Sequence, residues 1–171
     1  MNEVINNILT RRSIRNFNDK KIDKATLELL VECGLHAPSG MGKDLWHFTI
    51  INSEELINEL IMIMHKLLNN DNYTMYYPKA LIIVSNEVDN YHGMEDNACA
   101  LENIFLAAHS LNIGSVWINQ LRKYNDDELL REYFRKLKIK DNHVVYGIAA
   151  LGYYDEKPLT KERKGTYEYF E

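Results

Sequence analysis

The order of segments along the chain predicts an α/β domain built on a parallel sheet, because amphipathic helical segments alternate with short apolar runs. Apolar residues recur at helical spacing at Val4, Ile5, Ile8 and Leu9, at Leu27, Leu30, Val31 and Gly34, and at Leu56, Leu60, Met64 and Leu67. Runs of strand-forming residues at 46–51 and 80–85 lie between or after them. No internal repeat, low-complexity tract or linker divides the 171 residues, so a single domain over 1–171 with a core of its own is expected.

The first helix carries one apolar face and delivers a basic cluster at its C-terminal end. Asp23 caps a second helix, which ends before Ala37-Pro38-Ser39-Gly40-Met41-Gly42, a loop by composition. Residues 46–51 form a strand, and Ser53 followed by Glu54 and Glu55 opens the third helix. Residues 69–78 are a loop with Tyr73, Tyr76 and Tyr77. The run 80–85 is of the kind found in a strand covered on both faces. The longest helix spans 95–112, with Ala98, Leu101, Phe105, Ala108 and Leu111 on its buried face and Gly114 at its end. A short strand at 116–118 follows. Asn125 with Glu128 has the form of a capping box opening a helix through Leu137, and 144–151 is the last core strand. From Gly152 the tail is polar, then basic, then aromatic at Tyr167, Tyr169 and Phe170, the pattern of an arm that reaches another surface.

A net charge of -5 argues against general nucleic-acid or anionic-membrane binding, since both require a broad basic surface. Cys33 and Cys99 lie far apart with no metal-ligand spacing, which points to buried, reduced thiols in a cytosol. There is no signal-peptide pattern, and the apolar runs fall short of the roughly 20 residues that a spanning helix needs. A soluble cytoplasmic protein is expected.

Against this acidic background, Arg11-Arg12-Ser13-Ile14-Arg15-Asn16-Phe17 stands out. Arginine forks and a short hydroxyl suit phosphate oxygens, although basic residues at a helix end also complement its dipole. Neither GxGxxG after a strand nor GxxxxGKS/T is present, and HExxH and GxSxG are missing too. The six histidines are scattered singly, and with no metal-ligand cluster no metal is expected. With no acid/base pair in evidence, a cofactor would have to carry any catalysis.

Arg11-Arg12-Ser13-Ile14-Arg15-Asn16-Phe17, followed by Ala37-Pro38-Ser39-Gly40-Met41-Gly42-Lys43-Asp44-Leu45-Trp46-His47-Phe48, resembles the N-terminal signature of the FMN-dependent nitroreductase family. The resemblance continues through Asn97-Ala98-Cys99-Ala100-Leu101-Glu102-Asn103, Gly114-Ser115-Val116-Trp117-Ile118, 147–152 and the basic Lys161-Glu162-Arg163-Lys164. It replaces the parallel-sheet expectation with an α+β fold: a mixed, largely antiparallel sheet flanked by helices, in an intertwined homodimer whose arm, 152–171, exchanges between subunits. By that resemblance Arg11 and Ser13, helped by Arg12, hold the FMN phosphate, and Lys161 and Arg163 complete the phosphate site. Arg15 lies near flavin N1, where reduction leaves negative charge. Pro38, Ser39 and Gly40 form the loop that one subunit lays against the other's flavin, and Ile118, Asn119 and Gln120 supply a backbone donor near N5.

The implied activity is ping-pong transfer of hydride from NADH or NADPH, by way of flavin N5, to nitroaromatic, quinone or similar electron-poor acceptors. The chain departs from the family at Gly42, where Asn is usual, and at Asp44-Leu45, where Gln-Pro is usual. These departures keep open an FMN carrier or redox-responsive protein without NAD(P)H turnover. The chain is short for the family, which implies an open substrate face. Trp46 and Trp117 are expected as core or interface aromatics, Cys99 as inert, and the Tyr73, Tyr76 and Tyr77 loop either as a mobile lid over the flavin or as an amphipathic loop.

Overall fold

Neighbouring strands of this sheet run antiparallel instead of parallel. The structure is a computed structural model and describes residues 1–156, 158–159 and 162–171. Helices α1 (Glu3–Thr10) and α2 (Lys24–Leu35) precede strand β1 (Trp46–Ile51); α3 (Glu54–Leu68), β2 (Ala80–Glu87), α4 (Gly93–Ser110), β3 (Gly114–Ile118), α5 (Glu128–Lys136) and β4 (His143–Gly152) follow. The sheet has the order β1-β2-β4-β3, and all three strand pairs are antiparallel. A single parallel bridge, Ser13 to Ser115, adds the N-terminal segment. Alternation of helix and strand establishes the order of elements but not the direction of return. After α3 the loop 69–79 carries the chain back, so that Trp46 pairs with Asn86 and Ile51 with Leu81. The α+β architecture is therefore the one adopted.

Strand β2 is buried along seven of its eight residues, as its apolar run predicts. Successive side chains point to opposite faces. Leu81 and Ile83 join Leu60, Met64, Leu130 and Phe134 beneath α3 and α5, whereas Ile82 and Val84 join Leu27, Leu30, Leu101 and Ile104 beneath α2 and α4. Each buried side chain of this size contributes about 1.5–3 kcal/mol.

Caps explain most helix starts. Asp23 accepts from the Thr26 amide and Ser53 from the Leu56 amide, as expected. Asn125 is not a cap: its side chain accepts from the Val145 amide at 2.8 Å and donates to the Val145 carbonyl at 2.9 Å, and Asp127 caps α5 in its place. The end of α4 is likewise made by Asn112 in the left-handed region (φ 56°), not by Gly114, which opens β3. Helix α4 buries Asn97, Ala100, Leu101, Ile104, Phe105 and Ala108; Ala98 is half-buried and Leu111 exposed, one step around the helix from the expected face.

Helix α1 buries none of its residues, and Val4, Ile5, Ile8 and Leu9 are all exposed. Its apolar face lies open. Cys33 and Cys99 are free and half-buried rather than buried. Residues 162–171 are exposed and form neither helix nor strand.

Candidate functional site

The turn after α1 is fixed by backbone and packing. The Ile14 amide donates to the Ser115 carbonyl at 2.9 Å, and the Ile14 side chain is buried. Gly114 makes this approach feasible, because a Cβ there would lie 2.8 Å from Ile14 Cβ. Farther along, the Asn18 amide donates to the Tyr153 carbonyl at 2.8 Å. Residues 13–18 therefore run beside the end of the sheet and line a cavity of about 320 Å³, with Ser13 and Arg15 on one side and Asp155, Glu156 and Leu159 on the other.

The three arginines face different surroundings. Arg11 reaches Glu102 of α4, Nε to Oε1 3.3 Å. Arg12 folds back to donate from Nη1 to the carbonyls of Leu9 and Arg11, and its buried Nε has no partner among the described residues. The exposed Arg15 guanidinium lies over the Tyr76 ring, 5.6 Å from the centroid. His109 sits behind the turn, 2.9 Å from the Thr10 hydroxyl, and burial together with Arg11 and Arg12 holds its pKa below the usual histidine value.

The tyrosine loop connects two predicted site segments. Tyr73 packs against the core, and its hydroxyl donates to Gln120 Oε1 at 3.3 Å. Burial, with Tyr76 adding to it, pushes the Tyr73 phenol well above its ordinary pKa. The same Gln120 oxygen accepts the Asn119 amide at 3.2 Å, while Ile118 is buried at the end of β3. Met75, Tyr76 and Tyr77 all lie in the left-handed region (φ 52°, 64° and 50°), with Met75 buried in the core. This tight turn points Tyr76 back toward Arg15. Trp46 is buried, whereas Trp117 is partly exposed beside Phe105.

The 38–40 loop is anchored elsewhere. Pro38 is exposed, the Ser39 hydroxyl donates to the Asp44 carboxylate, and the Gly40 amide donates to Asp96 Oδ1 at 2.7 Å. Asp44 thus takes up the loop's own hydroxyl. The loop attaches at the N-terminal end of α4, and the 11–15 turn attaches beside Glu102 and His109 farther along it. Asp96 and His109 stand roughly 20 Å apart at 1.5 Å per helical residue. The structure brings Ser13 and Arg15 to one cavity and Tyr73 to Gln120, but within one chain it does not bring Pro38, Ser39 and Gly40 to that cavity. Arg163 lies in the exposed tail, and Lys161 lies outside the described residues.

Sequence reasoning missed Asp96, Asn90 and the bond from Tyr73 to Gln120. Asp96 is one of two acidic residues in the first turn of α4, and only its burial and partners set it apart. Among the described residues no group of three His, Cys, Asp or Glu side chains is placed to hold a metal ion. No helix there is long and apolar enough to cross a membrane.

Residues 8–153 match the model of the nitroreductase family. A solved nitroreductase with bound FMN from Bacteroides fragilis is 38% identical, covers 97% of this chain and 96% of its own, and superposes with a TM-score of 0.87. An Archaeoglobus fulgidus protein named "Putative NADH dehydrogenase/NAD(P)H nitroreductase" is 30% identical over 98% of this chain and 91% of its own length. An FMN-dependent nitroreductase of Clostridium difficile is 29% identical, with a TM-score of 0.77 over 92% of this chain and 91% of that one. Carrying the match across most of its length and the fold throughout, the chain belongs to the nitroreductase family.

Proposed function

We propose that the protein is an FMN-dependent oxidoreductase that passes hydride from NADH or NADPH to nitroaromatic, quinone or similar electron-poor acceptors in two half-reactions. The observation that carries this reading is the turn at 13–15, which β3 grips through Ile14 and which holds Ser13 and Arg15 at one cavity. The donor chemistry fits a flavin phosphate: Arg11 and Ser13 offer N–H and O–H groups to an anion, and Arg12 has a buried donor to spare. Arg15, steadied by Tyr76, would set a cation at the N1 edge of a bound flavin, where it favours negative charge. Ile118, Asn119 and Gln120 would border the N5 side of a bound flavin, with Tyr73 holding the Gln120 side chain in place. When bound, FMN supplies the ring that accepts and then donates hydride.

Pro38, Ser39 and Gly40 belong to the same site through a second subunit, because the length of α4 separates them from the cavity of their own chain. A homodimer satisfies this geometry. It would also cover the open apolar face of α1 and give the aromatic tail, with Arg163 and Lys161, a surface to reach. Anaerobic mixing with NADH or NADPH tests the activity: the yellow protein bleaches and recovers its colour when a quinone is added. Protein that binds FMN but never bleaches is a flavin carrier or a redox-responsive module instead.

A further inference from the structure

We propose that Asp96 is the positioning residue of the 38–40 loop, setting the surface that one subunit lays against its partner's flavin; the inference rests on the flavin reading given above. Asp96 is 3% exposed and stands in the first turn of α4, yet both its oxygens serve segments outside that helix. Oδ1 accepts the Gly40 amide at 2.7 Å, and Oδ2 accepts Asn90 Nδ2 at 2.8 Å. Asn90 is buried in turn: the same nitrogen donates to Asn86 Oδ1 at 2.8 Å, and its oxygen accepts the His92 amide at 3.1 Å. The chain of bonds runs from strand β2 through the turn at 90–92 to the loop.

The position calls for a carboxylate. Two donors converge on it from different segments, and an amide there would offer one acceptor and set its NH2 against that of Asn90. Bonds from N–H groups to a carboxylate are about twice as strong as neutral ones, and the helix N-terminus favours negative charge. The loop is also held by contact. A Cβ on Gly40 would lie 2.5 Å from the His92 ring, so the loop backbone rests directly on the residue that precedes α4. Gly40 is thus bonded to α4 on one side and seated on His92 on the other, and it cannot shift without breaking one of them. The 11–15 turn is tied to the same helix through Glu102. Asp96 accordingly fixes the distance between the two half-sites that one subunit contributes to two flavins.

The test is Asp96→Asn and the exchange of the two groups, Asn90→Asp with Asp96→Asn. The single change sets two NH2 groups face to face. In the exchange, the amide at position 96 accepts from Gly40 and donates to the carboxylate at position 90. Asn86, turned over, then gives that carboxylate its Nδ2, which has no partner in the wild type. Two measurements are made on each protein: hydrogen exchange at the Gly40 amide without FMN, with the β4 amide of Ile148 as the global reference, and FMN affinity by fluorescence titration. Asp96→Asn should speed Gly40 exchange and weaken FMN binding by about tenfold each, the scale of one lost hydrogen bond to a charged group. Ile148 should exchange as in the wild type, and the paired exchange should restore both values. An unaltered Gly40 rate, or a faster one with wild-type FMN affinity, overturns the proposal. So does a paired exchange that folds but restores neither value. Wild-type protein that fails to bind FMN overturns the flavin reading instead, a result separate from the Gly40 rate.

Discussion

The guanidinium of Arg15 lies over the ring of Tyr76, 5.6 Å from its centroid, and so the loop 69–79 touches the N-terminal motif across more than fifty residues of sequence. Such contacts at exposed sites are worth about 0.5–1 kcal/mol, enough to favour one rotamer of a long side chain. Arg15→Ala should lower the flavin midpoint potential, because a cation that favours the reduced, anionic ring has gone. Tyr76→Ala should shift it less in the same direction, and Tyr76→Phe should not shift it. A spectroelectrochemical titration giving the wild-type potential for Arg15→Ala would remove Arg15 from the flavin edge.

Arg11, proposed to hold the phosphate, also meets Glu102 at 3.3 Å. Arg11→Ala should weaken FMN binding by about 1.5–3 kcal/mol, the range for a hydrogen bond to a charged group. An unchanged dissociation constant in a fluorescence titration would assign the phosphate to other residues.

Gly114 should tolerate no side chain. Its Cβ would lie 2.8 Å from Ile14 Cβ and Cγ2, so Gly114→Ala must push the Ile14 turn away from β3. Overpacking of this kind costs about 1–3 kcal/mol. Urea denaturation should show that loss, and FMN affinity should fall with it because Ser13 moves with Ile14. Wild-type stability would mean that the turn yields freely.

Asn125 closes a pair of bonds with the Val145 backbone, both buried. Asn125→Ala leaves an amide and a carbonyl in β4 without partners, at a cost of about 1–3 kcal/mol each before relaxation. Asn125→Asp keeps the acceptor but sets a buried carboxylate oxygen against the Val145 carbonyl, so its urea midpoint should also fall below wild type. A midpoint for Asn125→Ala equal to wild type would show that water replaces the side chain.

Stability should fall in mild acid. His143 is buried with Nδ1 3.1 Å from Ser85 Oγ; burial first, then His47 and Lys140, lower its pKa, against an opposing pull from Glu87. The unfolded chain therefore takes up a proton at this site before the native protein does. The contribution is complete above an unfolded pKa of about 6.5 and is lost as pH drops below it toward the lowered native value. His109 acts with the same sign. The urea midpoint should decline between about pH 7.5 and 5, and less steeply for His143→Gln. Parallel curves for the two proteins would take His143 out of the titration.

Elements whose signals are local were legible in the sequence. The strand at 46–51 and the caps Asp23 and Ser53 rest on residues within a few positions of one another. Asn125 misled because Asn serves equally well as a cap or as a partner for a distant strand, and Val145, twenty residues on, decided the matter. Asn112 took the left-handed position expected of Gly114 because the crowding by Ile14 that requires a glycine at 114 is tertiary. The four apolar residues of α1 announced a helix face but not that the face would lie open on the single chain. At the candidate site, the motif residues were visible as a set. That Asp96 holds Gly40 and Tyr73 holds Gln120 was not, since both bonds join segments far apart in the chain.

The strand order β1-β2-β4-β3 also constrains how the chain is made. The last strand in sequence is an inner strand of the sheet, so until residues 143–152 have left the ribosome β2 and β3 each keep an open edge, and the first five residues of β2, Ala80 to Val84, are an unbroken apolar run. Exposed apolar edges are templates for aggregation. The nascent protein therefore depends on late closure by β4, and a stall or truncation shortly before His143 would release a chain with most of its hydrophobic content and no way to cover it.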